Sequence, residues 1–227
     1  MGLTRLPARE GETMRFIDLT HTITEDIPMF PGVDQPTIRQ YASVDVDGFR
    51  EAMITVDSHT GTHMDPPAHA VTGGTTLDQL PASQFVGRAI VVDCRDIPEG
   101  GLIACERLER YGSLADDADF LLFDLGWASR WGSEAYFGDL PLMDDALIDR
   151  IVAGHWKGIG FDLPSIDRVD DANMTKHRRL FSGRDLVNVE NLCHLDECPD
   201  GLFWVALMPI KVAGSDGAPI RAIAWWE

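Results

Sequence analysis

Three histidines and an aspartate crowd the stretch Ser58–His69, which reads S-H-T-G-T-H-M-D-P-P-A-H. Side chains of these types, this close together, can hold a metal ion or carry protons. His59 and His63 are four apart, the spacing of one helix face, but Gly61 between them and Pro66-Pro67 just after disfavour a helix. An extended segment fits better. Side chains on a strand alternate with a period of two, and His59, His63, Asp65 and His69 stand at even offsets, so all four are expected on one side. Gly61 lets the backbone turn sharply, and the two prolines end the strand and stiffen the exit toward His69. Imidazole and carboxylate without cysteine suit zinc, manganese or iron in an open site and argue against a closed thiolate site. The bland alternative, polar residues on a Gly/Pro-rich surface loop, is outweighed by the density of ligand types.

A catalytic metal held firmly, with room left for water, needs donors from elsewhere in the chain. His177 in T-K-H-R-R-L and Glu190 in V-N-V-E-N-L are the downstream candidates. Glu190 sits in an otherwise apolar, strand-like run, where a carboxylate is costly to bury unless it is paired or metal-bound. Each alone reads as a surface histidine and an edge-strand acid, so their weight is joint with the first cluster. Cys193, His194 and Cys198 form only a fragment of a zinc motif, and buried or incidental thiols are the simpler reading.

The elements that must position these groups follow from hydrophobic patterning. Arg15–Ile23 and Ser43–Val56 read as strands, the second with a turn at Asp47-Gly48. Arg88–Asp93, Phe120–Leu125 and Gly158–Asp162 read as short buried strands. Leu77–Phe85 is a short helix or loop, and Cys105–Tyr111 is weakly helical. Leu142–Ala153 carries apolar residues at helical spacing with acids early, an amphipathic helix. Leu202–Trp226 holds two apolar runs split by A-G-S-D-G-A-P, a strand pair. Alternation of strand, helix and strand predicts an α/β domain. Two aromatics are candidates to meet a substrate, with a small hydrophobic plug an equal reading for Phe30. Phe30 is pinned between prolines in P-M-F-P-G, and Trp127 lies in the Gly/Trp-rich loop G-W-A-S-R-W-G.

A chain of 227 residues favours one domain. Met1–Thr13 reads as a flexible polar leader, with Met14 an alternative start, and residues 14–227 as the domain. The formal net charge of −18 opposes binding to nucleic acid or to an anionic membrane. The four cysteines form no secreted-type framework, no signal peptide is evident, and no run approaches the roughly 18 apolar residues of a membrane span. A reducing cytoplasm and a small-molecule substrate are the expectation.

The motif H-x-G-T-H-x-D-x-P-x-H at His59–His69 resembles the signature of the metal-dependent cyclase family, which includes bacterial kynurenine formamidases (arylformamidases) and isatin hydrolases. I-D-L-T at Ile17–Thr20, P-M-F-P-G, T-L-D-Q-L-P, D-L-P-S-I-D at Asp162–Asp167 and V-E-N-L at Val189–Leu192 extend the resemblance over most of the chain. It implies a swivelling β/β/α fold with a mixed sheet, assembled as a homodimer or homotetramer. It also implies a divalent metal, Zn or Mn, as one or two ions. His59, His63 and Asp65 would hold the first ion, Asp65 could bridge, His177 and Glu190 would complete a second site, and His69 would transfer the proton. The implied reaction is hydrolysis of a small amide such as N-formylkynurenine, an intermediate of tryptophan catabolism. Hydrolysis of a lactam, imide or lactone such as isatin is the alternative. A non-enzymatic metal-binding protein on the same fold has no use for His69. The chain departs from the formamidases at Phe30, where they carry tryptophan, at Leu125, where threonine is common, and in a His177–Glu190 interval one residue longer.

Overall fold

The computed structural model describes residues 13–227. The expected leader falls almost wholly outside them. Strands are numbered in chain order: β1 (Arg15–Asp18), β2 (Thr37–Ala42), β3 (Glu51–Thr55), β4 (His63–Asp65), β5 (Val86–Asp93) and β6 (Leu102–Ile103) in the first half. Then follow β7 (Phe120–Asp124), β8 (Leu142–Met143), β9 (Gly158–Phe161), β10 (Val187–Glu190), β11 (Phe203–Pro209) and β12 (Ala218–Trp226).

The main sheet runs β1-β12-β11-β5-β7-β9-β10-β4, and β4 also pairs with the start of β12. Seven strands therefore close into a ring, with β1 added outside on the far part of β12. The strands β5, β7, β9 and β10 are mutually parallel, while β4, β11, β12 and β1 pair antiparallel. This is the mixed α/β architecture that the alternation of strands and helices predicts. The ring closure was not foreseen. It depends on β12, which pairs with β11 along one edge and, through its first residues, with β4 across Ala218↔Met64 on the other, leaving its last residues to face β1.

Period-two alternation divides the ring strands between two cores. Phe120 and Leu122 of β7, with Ala89 of β5, point into the barrel. Their neighbours Leu121 and Phe123, with Ile90 and Val92, point outward under the helical layer. A strand buried on both faces has no polar side, hence the unbroken apolar run of β7. The helix Asp145–Ala153 covers the outer core through Leu147, Ile148 and Ile151. It begins three residues later than the pattern suggests because Asp144 caps it, accepting from the Leu147 N–H at 2.7 Å, and Leu142–Met143 is instead the short strand β8.

Two strand expectations shorten. Arg15–Ile23 is a strand only to Asp18, and beyond it Thr20 forms one isolated bridge to Leu192. Ser43–Val56 begins with a helical turn, Val44–Asp47, ended by Gly48 at φ 76°, and becomes strand only at Glu51. β2 and β3 pair solely with each other, as a ribbon apart from the barrel.

Candidate metal centre

The register between β4 and β10 builds the heart of the site. His63 stands opposite Glu190, Met64 opposite Val189 and Asp65 opposite Asn188. His63, Asp65, Asn188 and Glu190 therefore share one face, while Met64 and Val189 turn into the barrel core. His63 Nε2 lies 3.4 Å from Asp65 Oδ1 and 3.5 Å from Glu190 Oε2. Its Nδ1 is 2.8 Å from the Gly61 carbonyl, which fixes the ring with Nε2 inward. Gly61 takes a left-handed φ of 62°, aiming that carbonyl.

His177 arrives from the helix Thr175–Leu180. Its Nε2 is 3.2 Å from Glu190 Oε1 and 3.5 Å from Asp65 Oδ2. Its Nδ1 lies 2.7 Å from Asp167 Oδ2, and Asp167 also accepts the backbone N–H groups of Lys176 and His177.

His59 and His69 do not lie on the strand. The expectation that all four side chains of the motif line one extended segment is therefore corrected: only His63 and Asp65 do so. His59 sits in the turn before β4, and His69 ends the 3-10 turn Pro67–His69 after it. The two turns fold back, so that the His59 and His69 ring centroids are 4.0 Å apart and His69 is 5.2 Å from His177. His59 Nδ1 is 2.8 Å from Asp65 Oδ1. Its Nε2 lies 3.5 Å from Asp216 Oδ2 and makes no hydrogen bond.

The five expected ligands and His69 thus converge. One set of donor atoms within 4.8 Å of one another comprises His59, Asp65 and His69, and another comprises His63, Asp65 and Glu190. Asp65 belongs to both.

Burial and charge show what the cluster requires. Asp65 and Glu190 are both buried, and Asn188 Nδ2 donates to both carboxylates, at 3.1 and 2.9 Å. Burial pushes the Asp65 carboxyl up, but His63, His177 and His59 outweigh it and hold it well below the usual range. Burial and Asp65 push Glu190 up, and His177 and His63 bring it below its ordinary value. The price is paid by the imidazoles: burial pulls His63 down, yet the Asp65 and Glu190 carboxylates raise it to about 10. Two buried anions therefore demand positive charge between them, which protons supply when no cation does. Inward Nε2 atoms backed by a carbonyl or carboxylate, carboxylate oxygens and an unpartnered His59 Nε2 form the nitrogen and oxygen set that zinc, manganese or iron accepts. The residues fit a divalent metal.

The cluster floors a cavity of about 410 Å³. Phe30 lines it, edge-on to Phe137 with ring centroids 6.1 Å apart, and Val33, Val169 and Met174 add apolar wall. Trp127, expected beside Phe30, does not line this cavity. It is 3% exposed in the outer core, its Nε1 donates to the Tyr136 carbonyl, and Arg130 lies over its ring. Leu125 acts through its backbone, donating to Asp162 Oδ1 at 3.0 Å, a bond open to any residue type other than proline. Cys94, Cys193 and Cys198 are free thiols that burial pushes up to about 12, the opposite of a thiolate site.

Asp167, Asn188, Asn191 and Asp216 escaped sequence reasoning. Asn188 was within reach of it, since V-N-V-E places Asn188 and Glu190 on one strand face. Asn191 links the site to Tyr136: its Nδ2 donates to the Gly61 carbonyl, and the Tyr136 hydroxyl donates to its Oδ1 at 2.7 Å.

A ring of mixed strands with a histidine–carboxylate centre at the antiparallel β4–β10 seam defines a metal-centre barrel of the α/β class. Residues 17–168 match the family described as "Putative cyclase". The chain belongs to that cyclase family. It is 29% identical over 214 residues to the kynurenine formamidase of Salinibacter ruber, covering 92% of this chain and 97% of that one. It superimposes on isatin hydrolase A from Labrenzia aggregata with a TM-score of 0.80 at 23% identity, covering 93% of each chain. A solved structure described as a potential metal-dependent hydrolase with cyclase activity matches with a TM-score of 0.72 at 25% identity, covering 94% of this chain and 98% of that one.

Proposed function

We propose that this protein is a metal-dependent hydrolase that cleaves a carbon–nitrogen bond of a small aromatic amide, with a formanilide such as N-formylkynurenine as the leading substrate. The observation that carries the reading is the different state of the four histidines. Among the described residues, His59, His63 and His177 each have a ring nitrogen against a carboxylate or carbonyl. His69 faces the same cavity with neither nitrogen engaged by an acceptor. Three imidazoles are oriented as ligands, and one is left to exchange protons.

His59, His63, Asp65, His177 and Glu190 would hold zinc or manganese, as one ion or two sharing Asp65. A divalent ion in this donor set supplies Lewis acidity, lowering the pKa of water from about 16 toward neutrality and polarising a carbonyl. His69 takes a proton from the attacking water and returns it to the leaving nitrogen. Phe30 and Phe137 flank an aryl group and exclude water from it. Asn188 holds Asp65 and Glu190 at fixed separation, so that the donor set is pre-formed.

With no helix among the described residues long and apolar enough to cross a membrane, and with free thiols, the proposed setting is the cytoplasm. The proposed partner is a small molecule, not nucleic acid or a lipid surface. The test is elemental analysis of the purified protein together with hydrolysis of N-formylkynurenine, other formanilides and isatin. Metal-dependent formanilide turnover supports the reading; preference for isatin moves it to cyclic amides; metal without hydrolysis of any amide or lactone overturns it.

A further inference from the structure

Asp65 and Glu190 each turn their two oxygens to different imidazoles. Asp65 Oδ1 and Glu190 Oε2 face His63 Nε2, at 3.4 and 3.5 Å, and His59 Nδ1 lies 2.8 Å from the same Asp65 Oδ1. Asp65 Oδ2 and Glu190 Oε1 face His177 Nε2 instead, at 3.5 and 3.2 Å. The centre therefore has two sides, each formed by imidazole nitrogen and two carboxylate oxygens. The His177 side already carries a side chain. Asn188 Nδ2 is 3.1 Å from Asp65 Oδ2, 2.9 Å from Glu190 Oε1 and 3.5 Å from His177 Nε2, so it stands among all three donors. Its nitrogen is identified by these neighbours, since an amide oxygen in that place would face two carboxylates. Asn188 is fully buried and its Oδ1 has no partner, so Nδ2 alone ties the carboxamide to the centre. Donor spacing agrees with this asymmetry. His63, Asp65 and Glu190 bring ligand atoms within 4.8 Å of one another, whereas His177 enters no such set among the described residues.

Given the metal-dependent centre proposed above, we propose that the Asn188 carboxamide holds the His177 side against an ion. The centre then takes one divalent ion tightly on the His63 side and a second only by expelling the amide. The two N–H groups bring partial positive charge to two buried anions, which is the service an ion on that side would perform. An ion entering beside His177 must break both charge-assisted bonds and leave a buried amide unpaired at either end. An ion held by His59, His63 and Asp65 Oδ1 breaks neither bond. The two positions therefore differ in affinity although each offers nitrogen and oxygen donors of the same kinds. Asn188 is a positioning residue in this scheme: it touches ligand atoms and sets which of them are free, without meeting the substrate.

The experiment titrates the metal-stripped full chain, and its Asn188→Ala and Asn188→Ser variants, with manganese. Equilibrium dialysis with elemental analysis reads ions bound per chain, and electron paramagnetic resonance reads coupling between them. The wild type is expected to bind its second ion at least ~100-fold more weakly than its first, the effect of two hydrogen bonds to charged groups. Alanine and serine cannot reach both carboxylates, so in the variants the gap is expected to narrow to within ~10-fold. Their two-ion form should show the spectrum of coupled manganese ions about 4 Å apart. Circular dichroism of the metal-free proteins confirms folding, and serine keeps a polar group on the strand should alanine disturb it. Two ions bound with equal affinity by the wild type, or a gap unchanged in both variants, would overturn the proposal. So would a parallel weakening of both ions, which would make Asn188 a support for the carboxylates only. Metal bound without hydrolysis would sink the proposed reaction and leave this inference standing, because nothing in the titration reads turnover. Failure of all three proteins to bind manganese would overturn both.

Discussion

Asp167 Oδ2 lies 2.7 Å from His177 Nδ1, and both side chains are buried. The contact fixes the ring so that Nε2 faces Asp65 and Glu190, the role that outer carboxylates play behind metal-bound histidines. Asp167 also accepts the Lys176 and His177 backbone N–H groups and so ties the ring to the start of its own helix. Asp167→Asn is expected to weaken metal affinity about 10- to 100-fold while leaving the five proposed ligands in place. Competition with a chromophoric chelator measures it; unchanged affinity would show that the helix alone orients His177.

Asp65 and Glu190 share the Asn188 amide and face the same imidazoles, so metal should bind the folded chain far better than the unfolded one. At a free metal concentration of about 100 Kd, the gain is about 2.7 kcal/mol. For a chain of this size that raises the melting temperature by roughly 5–10 °C. Glu190→Gln should abolish most of the increment. Calorimetry with zinc, with manganese and after chelation checks both statements.

How far this centre could be read from the sequence differs residue by residue. His63 and Asp65 are two apart, and period-two alternation puts them on one face whatever the surroundings. Glu190 stood out because a carboxylate within an apolar strand needs a partner. The position of His59 and His69 was legible, but not its cause: the even spacing suggested one strand, whereas Gly61 and the Pro67–His69 turn fold the motif back on itself. Trp127 looked like a pocket aromatic because glycines flank it, yet tertiary packing gave its indole N–H to Tyr136 and buried it. Closure of the ring rests on β12 pairing with β11 along one edge and with β4 on the other, a long-range relation that local pattern does not encode. The carboxylates of Asp167 and Asp216 act through contacts 10 residues and more than a hundred residues away in sequence; Asp167 closes the quoted D-L-P-S-I-D stretch, but that stretch does not say which ring it holds, and nothing in the local pattern of Asp216 distinguishes it from a surface acid.

His69 is grouped with His59 and Asp65 by distance, yet no acceptor orients its ring. The two facts point to different roles, and one substitution separates them. His69→Ala should lower kcat by about 10²- to 10⁴-fold, the usual contribution of a placed proton carrier, with metal content retained. Elemental analysis beside turnover decides it: loss of metal in parallel with activity would make His69 a ligand.

His21 stacks on Trp131 with ring centroids 3.8 Å apart and planes within 2°. Burial, followed by the nearby His194, lowers its pKa to about 4, and its Nε2 has no hydrogen-bond partner. The folded chain therefore binds a proton at His21 less readily than the unfolded chain, whose histidine titrates near 6.5. The sign follows: the stability contribution is complete above about pH 6.5 and is lost as the pH falls toward about 4, because the unfolded state takes up the proton first. The full shift would correspond to about 3 kcal/mol, but His21 is partly exposed and solvent screening reduces this to about 1 kcal/mol. His21→Phe keeps an aromatic ring on Trp131 and removes the titration. Urea unfolding should then show a smaller loss of stability than the wild type between about pH 7 and about pH 5. An identical loss in both proteins would assign the acid sensitivity to other groups.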